Sequence, residues 1–314
     1  MKNYCIVILA VMGLGFYSNQ SYAQQDAQYT QYMYNTLSVN PAYAGSRDVL
    51  SFVGLYRTQW VGLDGAPDTF TASLHSPVGE KVGVGLNITQ DEIFITSETY
   101  IDLSFSYTLD LANDAKLALG IKAGGHFLNI DTNKLNTGAF NQGDSDTEIN
   151  VDNKFSPQFG LGLYYYTDTF YLGLSAPNIL ETEHFDENAA NNNSFATAKE
   201  KVNFYIMAGK IFDLTPDIKF KPSTLFKVVD GAPLQVDLSA SVLLKEKLTL
   251  GLAYRWNAAM SAMAGFQVSD QIMLGIAYDR ETTELQQFND GSYEVFLRFE
   301  LFKRNNRMIS PRFF

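Results

Sequence analysis

Ser292-Tyr293-Glu294-Val295-Phe296-Leu297-Arg298-Phe299-Glu300-Leu301 is the stretch that decides the fold. Tyr293, Val295, Leu297, Phe299 and Leu301 recur with period two, and Ser292, Glu294, Arg298 and Glu300 fill the alternate places together with Phe296. Successive side chains on a strand point to opposite faces, so this is a strand with one apolar and one charged face. A helix would scatter the same residues around its whole circumference.

The same alternation returns along the chain. Val82, Val84, Leu86 and Ile88 alternate with Gly83, Gly85, Asn87 and Thr89. Ile101 to Leu109 alternate with Asp102 to Asp110. Leu117, Leu119 and Ile121 alternate with Ala118, Gly120 and Lys122. Leu234 to Val242 alternate with Gln235 to Ser241, and Leu248 to Trp256 with Thr249 to Arg255. About 14 candidate strands result, a number in the range of membrane barrels: 47–60, 68–75, 81–90, 97–110, 115–128, 155–167, 169–176, 202–212, 218–228, 233–244, 248–256, 259–268, 272–279 and 292–302. The gaps after even-numbered strands are all tight. The three longest gaps, 129–154, 177–201 and 280–291, follow odd-numbered strands. Tight turns on one side and long loops on the other are the pattern of an outer-membrane barrel.

The all-β reading is therefore an antiparallel outer-membrane β-barrel. An Arg or Lys at mid-bilayer on the lipid side costs about 2–4 kcal/mol. The polar face must then line a lumen, and it carries Arg57, Asp102, Lys122, His126, Asp237, Arg255, Glu294, Arg298 and Glu300. Trp60, Phe70, Tyr107, Phe127, Tyr165, Phe170, Trp256, Tyr278 and Phe299 lie near strand ends on the apolar face, where interfacial aromatic girdles form. A soluble β-sandwich or propeller explains the alternation equally well, and the loop asymmetry less well. Outer-membrane lipid is the expected surrounding, and an even strand count puts both termini on the periplasmic side.

Composition narrows the function. The chain has 314 residues, 23 Lys+Arg against 34 Asp+Glu, and a net charge of −11. So acidic a chain is unsuited to general nucleic-acid binding, which needs a basic surface. Charged residues are only 18% and aromatics 14%, below the roughly 25% charge of soluble domains. Cys5 is the one cysteine, which excludes disulfide frameworks and thiolate metal sites from the rest of the chain. Lys2, the apolar run Tyr4 to Phe16 and Ser21-Tyr22-Ala23 read as a secretory signal over residues 1–23.

No catalytic, metal or cofactor motif survives inspection. Ser73, His75 and His126 fall on the polar face, but there is no nucleophile elbow, and polar lumen residues are the simpler reading. Asp144, Asp146 and Glu148 resemble the first ligands of a calcium loop, yet Ile149 stands where the turn glycine belongs, so 144–152 reads as a solvated acidic loop. Gly83-Val84-Gly85 lies inside a strand with no helix following, so it cradles no phosphate; its glycines relieve crowding in the wall.

Two further segments carry a resemblance. One is Gln25 to Ser46, containing Gln31-Tyr32-Met33-Tyr34-Asn35-Thr36-Leu37-Ser38-Val39-Asn40-Pro41-Ala42-Tyr43-Ala44-Gly45. The other is the tail Ser310-Pro311-Arg312-Phe313-Phe314. With Tyr56-Arg57-x-Gln59-Trp60, Gly62 to Pro67 and Gly173 to Asn178 between them, the chain resembles the PorP/SprF family of type IX secretion system membrane proteins of the Bacteroidota. The resemblance implies an outer-membrane barrel that supports export or surface anchoring of a secreted adhesin through its C-terminal sorting domain, alongside translocon or periplasmic components. Some members serve gliding motility. A binding role is implied rather than catalysis. Gln31, Tyr32, Asn35, Asn40, Pro41, Ala42, Tyr43, Ala44 and Gly45 are then binding candidates, as are Pro311, Arg312, Phe313 and Phe314. The expected organisation is a signal peptide over 1–23, a periplasmic or plug-like segment over 24–46, the barrel over 47–302 and a tail over 303–314. The alternative function is a solute channel of porin or hydrophobic-substrate type.

Overall fold

The structure, a computed structural model, describes residues 28–131, 151–180 and 201–301. The signal peptide, the 144–150 part of the acidic loop and the tail with Pro311 to Phe314 lie outside the described residues.

The strands are β1 (Leu50–Thr58), β2 (Asp68–Val78), β3 (Val82–Ile93), β4 (Thr96–Asp110), β5 (Lys116–Ile130), β6 (Val151–Tyr166), β7 (Phe170–Ala176), β8 (Asn203–Lys210), β9 (Phe212–Thr215), β10 (Ile218–Val229), β11 (Gln235–Leu244), β12 (Leu248–Arg255), β13 (Ala259–Gln267), β14 (Ile272–Glu281) and β15 (Ser292–Leu301). All described pairings are antiparallel and join neighbours in sequence, except that β8 pairs with β10 and β15 with β1. That last ladder, from Leu50↔Leu301 to Thr58↔Tyr293, closes the sheet on itself. β8 and β9 both lie on β10, at Ser223–Val229 and Ile218–Phe220 respectively. They are two pieces of one strand broken at Ile211, so the wall has 14 strands. Closure removes the free edges that an open sheet would expose.

The period-two pattern places the residues as the alternation requires. In β15, Glu294, Arg298 and Glu300 are buried within the barrel, and Tyr293, Val295, Leu297 and Leu301 are exposed on its outside. Leu103, Ile121, Leu252 and Ile276 are likewise outward. Among the girdle candidates, Phe70, Tyr107 and Trp256 are exposed on the outer face. No described helix is long and apolar enough to cross a membrane; the chain crosses with strands.

One face departs from simple alternation. Tyr164, Tyr166, Tyr171, Tyr205, Met207, Met263, Met273 and Phe296 point inward and are buried. The inner face is thus not uniformly polar. Such a face costs free energy if water-filled, and apolar groups must cover it.

The ends of the barrel differ. The connections 79–81, 111–115, 167–169, 216–217, 245–247 and 268–271 gather at one end, with the start of β1 and the end of β15. The opposite end carries the strand ends that flank the chain's three longest connections, 131–150, 177–202 and 282–291, together with short connections such as 94–95 and 256–258.

Candidate functional site

The inward aromatic and methionine side chains are covered by the chain's own residues 28–46. Tyr29, Tyr32, Met33, Leu37, Val39, Ala42, Tyr43 and Ala44 share one apolar cluster with the wall's Tyr164, Tyr171, Tyr205, Met207, Met263 and Phe296. Tyr34 stacks on Phe296 with ring centroids 4.3 Å apart. Tyr43 meets His75 and Tyr164 edge-on, at 5.3 and 5.4 Å. Burial pushes the Tyr29 phenol up to about 12 and those of Tyr32 and Tyr34 upward as well, so all three stay neutral.

The segment spans the lumen. At the long-loop end the Gln28 side-chain amide donates to Gln235, which opens β11, at 3.1 Å. At the tight-turn end Arg47 donates to Glu300 with both Nε and Nη2. Burial alone would lower the Arg47 pKa; the Glu300 carboxylate beside it outweighs burial, and the net shift is upward. The described chain therefore begins at the long-loop end. Residues 24–27, and with them the expected periplasmic position of the amino terminus, lie outside the described residues.

Three sets of contacts hold the segment. The first is a buried ionic cluster near the long-loop end. Arg57 of β1 lies 2.7 Å from Asp279 of β14 and 3.3 Å from Glu294 of β15. The backbone N–H groups of Thr30 and Gln31 both donate to Glu294, at 2.9 Å. The Thr30 hydroxyl donates to Asp279 at 2.6 Å and accepts from Arg57 at 3.0 Å. Two carboxyl groups share one guanidinium, and the segment supplies further donors, leaving Arg57 Nε and Asp279 Oδ1 without a hydrogen bond among the described residues. Burying charge is tolerable only where most of it is partnered in this way.

The second set surrounds Asn35 to Gly45. Ser73 donates to Asn35 Oδ1 at 3.0 Å, and Ser175 to the Val39 carbonyl at 2.7 Å. Asn40 donates to the Leu163 carbonyl at 3.0 Å and accepts from the Ala42 N–H at 3.0 Å, capping the short helical turn Pro41–Tyr43. Proline at the first position of that turn has its φ already set. Ser106 donates to the Ala44 carbonyl at 2.6 Å, and Gly45 N–H to His75 Nδ1 at 3.1 Å. Ser73 and His75 thus both serve the segment.

The third set is a cradle of glycines. Gly83 (β3), Gly120 (β5), Gly162 (β6) and Gly173 (β7) face inward beneath residues 40–44. A Cβ on Gly83 would run into the Ala44 carbonyl, on Gly120 into the Ala42 backbone, and on Gly162 into Asn40 Oδ1. On Gly173 it would lie 3.0 Å from Asn40 Nδ2. Absent side chains let one backbone approach another this closely.

The other inward charges form separate groups. Lys122 lies 3.0 Å from Asp102, and Arg255 2.8 Å from Asp237. His126 stacks on Tyr100 at 4.3 Å and lies 3.6 Å from Glu98. Arg298 sits over the Tyr34 ring at 5.7 Å and near Glu300. Among the described residues no three His, Cys, Asp or Glu side chains gather into a metal site. The sequence reading missed the inward Tyr and Met residues and the glycine cradle. The run Tyr164-Tyr165-Tyr166, apolar on both faces, was the signal that something covers the inside.

The profile of the family described as type IX secretion system membrane protein PorP/SprF matches residues 21–299. No curated protein matches the sequence. Among solved structures, the CymD monoaromatic hydrocarbon channel is 10% identical, with a TM-score of 0.48 over 86% of this chain and 94% of its own. The Acinetobacter baumannii outer membrane protein Omp33 is 8% identical, with a TM-score of 0.45 over 81% of this chain and 100% of its own. The KdgM porin is 7% identical, with a TM-score of 0.41 over 80% and 99%. Likenesses this distant do not bear on function.

Proposed function

Because this chain belongs to the PorP/SprF family of type IX secretion system membrane proteins, we propose that it binds the C-terminal sorting domain of a secreted adhesin or similar protein, and works beside translocon or periplasmic components. It is an outer-membrane barrel of that secretion system, and its family makes it a transport and anchoring protein rather than an enzyme. In this reading the tight-turn end faces the periplasm and the long-loop end faces outward, where the partner docks. Residues 1–23 are the removed signal, 24–46 the lumen segment, 47–302 the barrel and 303–314 a tail whose Phe313-Phe314 terminus serves assembly or closes the mouth.

The observation that carries the reading is the occupied lumen. A 14-stranded wall is wider than an eight-stranded one, whose interior side chains fill it. Here residues 28–46 are buried against charged, aromatic and glycine positions dedicated to holding them. A passive solute channel gains nothing from so built a plug, whereas a docking platform needs a closed, rigid barrel. Acidic long loops would contribute polar complementarity toward the partner.

The test is a mild-detergent pull-down of the tagged protein from native outer membrane, with partners identified by mass spectrometry. Recovery of a secreted protein bearing a sorting domain, or of translocon components, is expected. A barrel recovered alone, with an ohmic conductance in planar bilayers, would replace this reading with the channel.

A further inference from the structure

β7 stops short of its neighbour. It pairs with β6 only from Leu161 to Tyr166, whereas β6 begins at Val151. Beyond Ala176 the chain turns outward. Pro177 packs on Gly160, where a Cβ would run into the Pro177 carbonyl. Ile179 and Leu180 then lie over the outer face of the wall. Facing them are the outward side chains of Leu103 and Phe105 (β4), Ile121 (β5), and Phe159 and Leu161 (β6). A groove of about 530 Å³ runs between the two.

The overhang suits an apolar medium. The Ile179 N–H donates to the Phe159 carbonyl at 2.8 Å, and the Leu180 N–H to Asn178 Oδ1 at 3.3 Å. Both amides are satisfied within the protein, and the two residues offer aliphatic side chains to the groove. The rest of the lining is almost all carbon. Lys122 borders it from β5, but its side chain is buried on the lumen side and paired with Asp102 at 3.0 Å. Phe105, Ile121 and Leu161 each stand five residues from the tight-turn ends of their strands, Asp110, Lys116 and Tyr166. At about 3.3 Å per residue and a tilt of roughly 40°, this is about 13 Å along the membrane normal, half of the roughly 25 Å apolar band. The groove therefore lies in the hydrocarbon.

We propose that this groove holds one acyl chain of a membrane lipid, gripped by the wall on one side and by Ile179 and Leu180 on the other. An acyl chain matches a carbon lining at this depth and brings no polar group to desolvate. A polypeptide stretch lying there would carry peptide N–H and C=O groups without partners, which hydrocarbon does not tolerate. Lipid on the plain outer wall touches protein on one side only. Here it has two walls, and it is released more slowly. The site is independent of which polypeptide the barrel serves, and it makes the β4–β7 face the one that carries a retained lipid.

The test places the photoreactive residue p-benzoylphenylalanine at Ile121, in the groove, and separately at Ile276 on the outer face of β14. The two are 56% and 58% exposed. Purified barrels are stripped with detergent, mixed with palmitoyl-oleoyl phosphatidylethanolamine, washed and irradiated, and adducts are read by intact mass. Faster gel migration of unboiled barrels is the folding control, and Leu161 is the substitute position should the Ile121 replacement fail to fold. The expected result is a phospholipid adduct at the Ile121 site and none above background at the Ile276 site. It should fall about tenfold in I179A/L180A, the worth of roughly two buried methylenes. Equal adducts at both sites would show ordinary surrounding lipid and overturn the site. So would the absence of a lipid adduct at Ile121, a cross-link from there to this chain's own residues or to a co-purified protein, or an adduct indifferent to I179A/L180A.

Discussion

Replacing Gly120 by alanine should loosen the lumen segment without weakening the barrel. The added Cβ would collide with the Ala42 backbone and lie 2.6 Å from the Pro41 carbonyl carbon. These are main-chain atoms, so relief requires the segment to move as a unit. Three side-chain bonds hold it there: Asn40 to the Leu163 carbonyl, Ser175 to the Val39 carbonyl and Ser106 to the Ala44 carbonyl. At about 0.5–1.5 kcal/mol net each, their loss removes about 1.5–4.5 kcal/mol of docking free energy. Alanine is favoured over glycine within a strand by roughly 0.5–1 kcal/mol, so the wall itself does not suffer. Local opening of residues 40–46 should therefore become roughly 10- to 1,000-fold more populated. Hydrogen exchange in detergent reads this directly. The Ala42, Tyr43 and Ala44 amides, bonded within the turn, should exchange faster by that factor, with the β12–β13 ladder unchanged. Unchanged exchange at 42–44 would refute the close approach. Faster exchange throughout β5 would show that the wall, not the segment, yielded.

Arg57→Met should cost about 3–5 kcal/mol in denaturant unfolding of the micellar protein, because it leaves Asp279 and Glu294 buried without their cation; the triple variant R57M/D279N/E294Q should recover much of that loss. Asn40→Asp removes the donor to Leu163 and puts a charge over Gly162; protease cleavage within 28–46 should rise, and an unchanged digest would count against the cap. The neutral Tyr29 phenol is the form the lumen holds, its pKa raised from 10.0 to about 12 by burial. Its contribution to docking is complete below pH 10 and lost as pH rises from 10 through 12. Tyrosinate absorbance of wild type against Tyr29→Phe should show one late-titrating phenol missing in the variant.

Much of the wall was legible in the sequence because a strand's side-chain period is two and a membrane barrel has only two environments. The alternation in 292–301, 101–110 and 234–242 needed no knowledge of neighbours, and all the candidate strands have a counterpart in the structure. The differences are at boundaries: β6 begins at Val151 rather than 155, and strand 202–212 divides at Ile211 into β8 and β9. Strand ends depend on which residues a neighbour offers for pairing, and a single sequence does not contain that. The inward position of Arg57, Asp279 and Glu294 likewise follows from period two.

Their meeting does not. Arg57, Asp279 and Glu294 come together because β1 closes on β15, a contact between residues more than 200 positions apart. The glycines illustrate the same division. As residues between apolar neighbours, Gly83, Gly120 and Gly162 mark places where the wall has no side chain. Only the tertiary structure shows that these places line up across four strands, and that Asn40 to Ala44 lies in the trough. Period and composition are local and survive in the linear chain. Register, closure and the path of residues 28–46 through the lumen arise from pairings between distant segments, which only the folded barrel brings into contact.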